Sequence, residues 1–183
     1  MGSLYDDISE ILVTEERLDE LCRQLGEQIS KDYAGKQLVL VGIMKGGLIF
    51  LSDLLRNITI PVEFDIVTAS SYGQGTTSDG HVKILQDLDM DIEGKDLIIV
   101  EDLIDTGYTL NYLQRFFALR SPNSVKICCL LDKPSRREKM VKVDYIGQEI
   151  PDKFVVGYGM DFNEKYRNLK DVCVLKEELY IVD

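Results

Sequence analysis

The sequence holds a single histidine, His81, and that scarcity removes whole classes of chemistry. A Ser-His-Asp triad, a multi-histidine zinc site and a His-rich metal tract all need partners this chain lacks. Its four cysteines, Cys22, Cys128, Cys129 and Cys173, show neither CxxC spacing nor the framework of a small secreted domain, and read as reduced thiols of a cytoplasmic protein. Apolar runs are short. Leu38 to Met44 is among the longest, far from the ~20 residues that a membrane-spanning helix needs. Acidic Asp6 and Asp7 stand where a secretory signal would be basic. Positive charge is also in deficit, with 21 Lys plus Arg against 32 Asp plus Glu and a formal net charge of −11. A broad nucleic-acid face requires clustered cations, so no nucleic-acid partner is expected. The dinucleotide fingerprint GxGxxG and the phosphate loop GxxxxGK followed by Ser or Thr are both missing, and no repeat of 20 to 50 residues is evident.

What is present is the material of one globular domain spanning 1–183, since 45% hydrophobic residues supply a full core at this length. From Thr14 to Tyr33, Leu18, Leu21, Cys22, Leu25 and Ile29 recur at helical spacing. Glu15 and Glu16 occupy the first turn, where the helix dipole favours carboxylates, and Gly35 ends the segment. Leu38-Val39-Leu40-Val41 is too short for a helix and reads as a buried strand, followed by Lys45-Gly46-Gly47 and a helix from Leu48 to Arg56. The same order returns at Leu97 to Val100, Asp105-Thr106-Gly107, and a helix from Tyr108 to Leu119. Val125 to Leu131 gives another buried strand, Pro61 to Ser70 a longer alternating one, and the tail from Val143 supplies short strand-like pieces. Strands alternating with helices predict an α/β fold with a mostly parallel sheet and ligands at the carboxyl ends of the strands. The polar stretch from Tyr72 to His81, with three glycines, reads as a mobile loop or lid.

With histidine chemistry excluded, function must rest on carboxylates, lysines, arginine and backbone amides. The richest string is VEDLIDTGYT, Val100 to Thr109, where a buried strand meets a helix. Three carboxylates crowded at a strand end need something cationic or hydroxyl-bearing to meet them, such as Mg²⁺ or a sugar diol. The threonines, Gly107 and the amides of the helix start could cradle a phosphate; an acidic, solvated turn with a threonine cap is the competing reading. Lys45 within a glycine turn could approach an anion, or be an ordinary strand-to-helix turn. Lys133 in Leu131-Asp132-Lys133-Pro134 follows a buried strand as Lys45 and Glu101 do, which places all three on one edge of a parallel sheet.

VEDLIDTGYT, together with MKGG, SSYG, LDKP and GYGMDFNEKYRNL in this order, closely resembles the hypoxanthine-guanine phosphoribosyltransferases. The likeness runs over nearly the whole chain. It implies the type I phosphoribosyltransferase fold, with a mostly parallel twisted sheet flanked by helices, a small hood over the base site formed by N- and C-terminal segments, and a mobile lid. It implies transfer of the 5-phosphoribosyl group from phosphoribosyl pyrophosphate to hypoxanthine or guanine, giving IMP or GMP and pyrophosphate, with Mg²⁺ as cofactor.

By the same resemblance, Glu101 and Asp102 hold the ribose hydroxyls and Mg²⁺, and Asp161 is a ligand of a second Mg²⁺. Asp105 is the acid/base residue facing ring nitrogen 7 of the purine. Asp105, Thr106, Gly107, Tyr108 and Thr109 surround the 5′-phosphate. Lys45, Gly46 and Arg167 contact pyrophosphate, with a cis peptide expected at Met44-Lys45. Lys133 donates to the 6-oxo group, Phe154 stacks on the base, Val155 and Asp161 complete the purine site, and Ser71-Tyr72 begins the lid. Tyr108 departs from members with a basic residue there, adding no charge to the phosphate site. The resemblance also suggests a homodimer or homotetramer, with the Leu48 to Leu55 helix offering apolar surface. Rival readings are a regulator of this fold that binds without turnover, a relative preferring xanthine or another oxopurine, and a generic nucleotide-binding α/β domain.

Overall fold

Thr14 accepts a hydrogen bond from the Arg17 amide at 3.4 Å, satisfying one of the free donors at a helix start, and so opens α1 (Glu15–Asp32). Before it lies β1 (Ile8–Val13), and after it come β2 (Leu38–Met44), α2 (Leu48–Asn57), β3 (Val62–Tyr72) and β4 (His81–Gln86). The chain continues through β5 (Asp96–Ile104), α3 (Tyr108–Ala118), β6 (Ser124–Asp132), β7 (Tyr145–Glu149), β8 (Val155–Val156) and β9 (Val172–Leu175). This is a computed structural model, and it describes residues 3–72 and 81–180. The expected lid therefore lies outside the described residues, apart from the strand backbone at Ser71, Tyr72 and His81.

The main sheet runs in the order β4-β3-β2-β5-β6-β7, parallel throughout except for the antiparallel edge strand β4. Its central strands are buried on both faces, which is why they read as continuous apolar runs. The period of two still sorts their side chains. Leu38, Leu40, Ile98, Val100, Cys128 and Leu130 join the core under α1 and α2, while Val39, Val41, Leu97, Ile99, Ile127 and Cys129 join the core under α3. Gly26 lets the first two helices cross closely, since a Cβ there would lie 2.6 Å from the Asn57 carbonyl oxygen.

After β2 the chain builds outward through α2 to β3. After β5 it builds the other way, through α3 to β6. The carboxyl ends of β2 and β5 thus flank the point where strand order reverses, the usual seat of a ligand in an open α/β sheet.

A second, antiparallel sheet in the order β1-β9-β8 joins the N- and C-terminal segments. Asp171 fastens them, its carboxylate accepting from the Glu15 amide at 2.8 Å and from the Tyr5 hydroxyl. This is the hood. Two strands escape the sequence pattern, each for a physical reason. β1 carries two register irregularities that break its alternation, and β4 is an edge strand with Leu85 exposed, so only Val82 and Ile84 turn inward. Among the described residues no helix is long and apolar enough to cross a membrane.

Candidate active site

The edge outside β2 and β5 opens into a cleft of about 400 Å³. It is lined by Lys45, Gly46, Glu101, Asp102, Asp105, Lys133, Phe154, Val155, Asp161 and Arg167, together with apolar neighbours. Residues scattered over more than a hundred positions therefore share one cavity. Parallel strands explain the first half of the set, because β2, β5 and β6 all end on this side. The hood strand β8 and the 157–171 loop bring the rest.

At the end of β2 the Met44-Lys45 peptide is cis, as expected. Gly46 then passes so close to β5 that a Cβ would sit 2.3 Å from Asp102 Oδ2. Gly159, with φ +100°, packs on the same turn, where a Cβ would come within 2.2 Å of the Gly46 carbonyl oxygen. Two glycine turns and the Asp102 carboxylate thus meet where no Cβ fits. Lys45 Nζ donates to Glu164 Oε1 at 3.0 Å. Arg167 donates to the Gly159 carbonyl at 2.7 Å and to Glu164 Oε2 at 3.1 Å, and lies 2.8 Å from Asp161 Oδ1. Glu164 therefore bridges both cations expected to meet pyrophosphate.

Glu101 and Asp102 stand side by side at the end of β5, and Asp102 is only 7% exposed. Asp102 Oδ1 accepts from the Leu103 amide at 2.9 Å. Burial raises the Glu101 carboxyl well above the usual carboxylate range, and the adjacent Asp102 charge adds to it; burial also raises Asp102. Two desolvated carboxylates form a hard oxygen donor set with unmet demand for positive charge, which fits Mg²⁺. No cluster of three or more metal-ligating side chains is preassembled among the described residues. Asp161 is drawn instead toward Arg167 and the Glu164 amide, the latter at 2.8 Å.

The loop expected to hold a phosphate follows at once. Gly107 adopts φ +87° as the N-cap of α3, so the first-turn amides of the helix face the loop. The Thr106 carbonyl accepts from the Glu138 and Lys139 amides at 3.0 and 2.9 Å, anchoring the loop to the segment after β6. Tyr108 turns toward that segment too, with Lys139 Nζ 5.3 Å from its ring. Thr106, Gly107, Tyr108 and Thr109 adjoin the cleft without being part of its main lining.

On the base side, Lys133 is only 5% exposed and donates to the Lys153 carbonyl at 2.6 Å. Burial lowers its ammonium pKa, while Asp105 and Asp152 work against the shift. One of its three protons is thus committed. The other two remain for a ligand. Phe154, on the hood, stacks on Tyr180 with centroids 4.6 Å apart and meets Phe162 edge-on at 5.7 Å. Val155 is buried, its strand paired to β9. Asp105 Oδ1 accepts from Arg136 Nε at 3.0 Å, and its backbone carbonyl from Arg137 Nε at 3.2 Å.

Four of these neighbours carry no advance signal of their role. Arg136 and Arg137 are visible after LDKP, but nothing in the string says that they reach back to Asp105. Glu164 and Tyr180 belong to loop and tail, where periodicity is silent.

Against known proteins, the model of the phosphoribosyl transferase domain matches residues 9–163. A hypoxanthine-guanine phosphoribosyltransferase of Streptococcus thermophilus (strain CNRZ 1066) is 48% identical over 177 residues, covering 97% of this chain and 98% of that protein. The Staphylococcus aureus (strain Mu50 / ATCC 700699) protein of the same name is 46% identical, covering 97% and 99%. The crystal structure of a Staphylococcus aureus hypoxanthine phosphoribosyltransferase superposes with a TM-score of 0.96 at 46% identity over 100% of both chains.

Proposed function

The chain belongs to the hypoxanthine-guanine phosphoribosyltransferases, and on that premise we propose how its residues divide the work of the reaction. It is a pentosyl transferase of purine salvage with the type I phosphoribosyltransferase fold, passing the 5-phosphoribosyl group of phosphoribosyl pyrophosphate to hypoxanthine or guanine. IMP or GMP and pyrophosphate are the products. The observation that carries the residue assignment is one cleft with an ammonium buried at its base end, buried Asp102 beside half-buried Glu101 at its centre and a lysine-glycine turn at its far side.

The reaction breaks the bond from the anomeric carbon to pyrophosphate and forms one to purine nitrogen 9, passing through an oxocarbenium-like state. Glu101 and Asp102 receive the ribose 2′- and 3′-hydroxyls, and their negative charge tolerates the cationic character growing on the sugar. With Asp161 they are also the residues that would hold Mg²⁺, which when bound neutralises leaving-group charge. Lys45, the Gly46 amide and Arg167 take up the departing pyrophosphate once Glu164 releases the two cations. The amides and hydroxyls from Thr106 to Thr109 hold the 5′-phosphate, with Tyr108 turned aside. Asp105 accepts the proton that leaves nitrogen 7 as nitrogen 9 attacks, a role worth about 10² to 10⁴-fold.

Lys133 selects the base. Its remaining protons can only donate, which suits a 6-oxo acceptor and leaves adenine's amino group facing a charged donor. Phe154 supplies the stacking face, held from behind by Tyr180, and Val155 offers backbone to the edge of the ring. Ser71-Tyr72 opens the lid that excludes water. Residues 1–183 act as one domain in the cytoplasm, as a homodimer or homotetramer, with half-exposed Leu48 on α2 available for contact.

The test is turnover. Purified protein with Mg²⁺ and phosphoribosyl pyrophosphate should form nucleotide from hypoxanthine and guanine and none from adenine. Binding of phosphoribosyl pyrophosphate without turnover of any base would favour a regulator of this fold, and a preference for xanthine would move Lys133 from sole selector to one of several.

A further inference from the structure

The turn after Lys133, Pro134–Arg136, holds a residue that the division of labour above leaves unused. Arg136 does not line the cleft. Its Nε lies 3.0 Å from Asp105 Oδ1 and 3.9 Å from Asp152 Oδ1, so one guanidinium spans the phosphate-loop carboxylate and the segment leading into Phe154. Two further side chains tie the same segment. Lys133 Nζ reaches the Lys153 carbonyl at 2.6 Å, and Arg137 joins the Asp105 carbonyl to the Asp132 carboxylate. The short segment 132–137 thus straps the catalytic loop to the hood.

We propose that Arg136 is a positioning residue: it holds the Asp105 carboxylate toward the base face of the cleft and, through Asp152, registers that carboxylate with the hood segment carrying Phe154. The proposal rests on the reading of Asp105 as the acid/base residue. The physical reason is that a free aspartate carboxylate rotates about its side-chain bonds, whereas a proton acceptor must be met within hydrogen-bond reach in one orientation. Arg136 contacts Oδ1 through Nε and leaves Oδ2 for the purine. The charges around Asp105 are Lys133 from the end of β6, Arg136 and Arg137 from the following turn, Asp152 from the hood lead-in, and Glu101 and Asp102 on its own strand. Glu138 also acts on Arg136. Among these, Arg136 is the cation in direct contact with the carboxylate.

The experiment is a double-mutant cycle read as kcat, and as KM for hypoxanthine and phosphoribosyl pyrophosphate, in wild type, R136Q, R136K, D105N and D105N/R136Q. The pair is half-exposed, so R136Q is expected to lower kcat by about fivefold at neutral pH, the upper range for an exposed ion pair. R136K should recover part of the loss, and KM for phosphoribosyl pyrophosphate should not move. In the D105N background, R136Q should change kcat by less than about twofold, because its effect acts through Asp105. Equal losses in both backgrounds, or no recovery in R136K, would overturn the role of Arg136. Wild-type turnover by D105N would remove the reading of Asp105 itself and the proposal with it, whereas a slow D105N with an additive cycle would sink Arg136 alone.

Discussion

Replacing Lys133 by methionine separates base recognition from folding, because the two effects of this substitution have opposite signs. Lys133 is 5% exposed, and its ammonium is held by one carbonyl, that of Lys153, at 2.6 Å. Methionine has nearly the same length and fills the same channel. Folding loses the hydrogen bond and leaves the Lys153 carbonyl unpaired, a cost of about 1–3 kcal/mol. It also escapes the desolvation of a buried charge, which runs to several kcal/mol per ion. The net should lie within about 1 kcal/mol, a movement of roughly 2–4 °C in Tm for a chain of this size. Base recognition has no such offset. A hydrogen bond from a charged donor is worth about 1.5–3 kcal/mol, so kcat/KM for hypoxanthine should fall about 10- to 150-fold. Turnover of adenine relative to hypoxanthine should rise, since the donor that opposes its amino group is gone.

The alkaline limb gives an independent check. Burial sets the folded pKa of Lys133 below its ordinary 10.5. Between the two values the unfolded chain binds the proton and the folded chain does not, so stability rises with pH there as base binding decays. K133M should show neither slope. The assay is steady-state kinetics against hypoxanthine, guanine and adenine beside thermal melts over pH. Hypoxanthine and guanine keeping wild-type kcat/KM, or a melt lowered by more than about 10 °C, would refute the reasoning: the first removes base recognition by Lys133, the second makes the loss one of folding.

Glu101→Gln should raise the melting point of the ligand-free protein at pH 7 while depressing turnover at low phosphoribosyl pyrophosphate. The folded carboxyl sits above its usual 4.5, so through that window the folded state holds a proton the unfolded state has released, and wild-type stability declines as pH rises. The variant should lack that decline; a variant melting below wild type at neutral pH would contradict it. Tyr180→Ala should raise KM for the base about 2- to 10-fold by removing the ring that backs Phe154, with kcat little changed and Tyr180→Phe restoring it. A KM unmoved by both changes would separate Tyr180 from the base site. Gly159→Ala should abolish turnover and destabilise, as its Cβ meets the Gly46 carbonyl at 2.2 Å, whereas Gly35→Ala, at φ +76° with nothing within 4 Å, should cost only backbone strain of about 1 kcal/mol. Circular dichroism melts of the pair decide this, and similar midpoints would count against the close approach.

The sequence by itself determined the sheet, because strands buried on both faces must be apolar without interruption, as Leu38 to Met44 and Ile127 to Leu131 are. It also placed Lys45, Glu101 and Lys133 at strand ends on one edge, since each follows such a run, and they line one cleft. It missed β1 and β4, whose alternation is broken by irregular register or diluted by an exposed edge. Only the tertiary structure decided the pairings between distant segments: Glu164 across Lys45 and Arg167, Arg136 onto Asp105, Tyr180 behind Phe154, and Gly159 against Gly46. The reason lies in the range of the signal. Periodicity reports what a residue's own element buries, over a turn of helix or two residues of strand. A loop side chain's partner is set by where two backbones happen to pass, which no local pattern encodes.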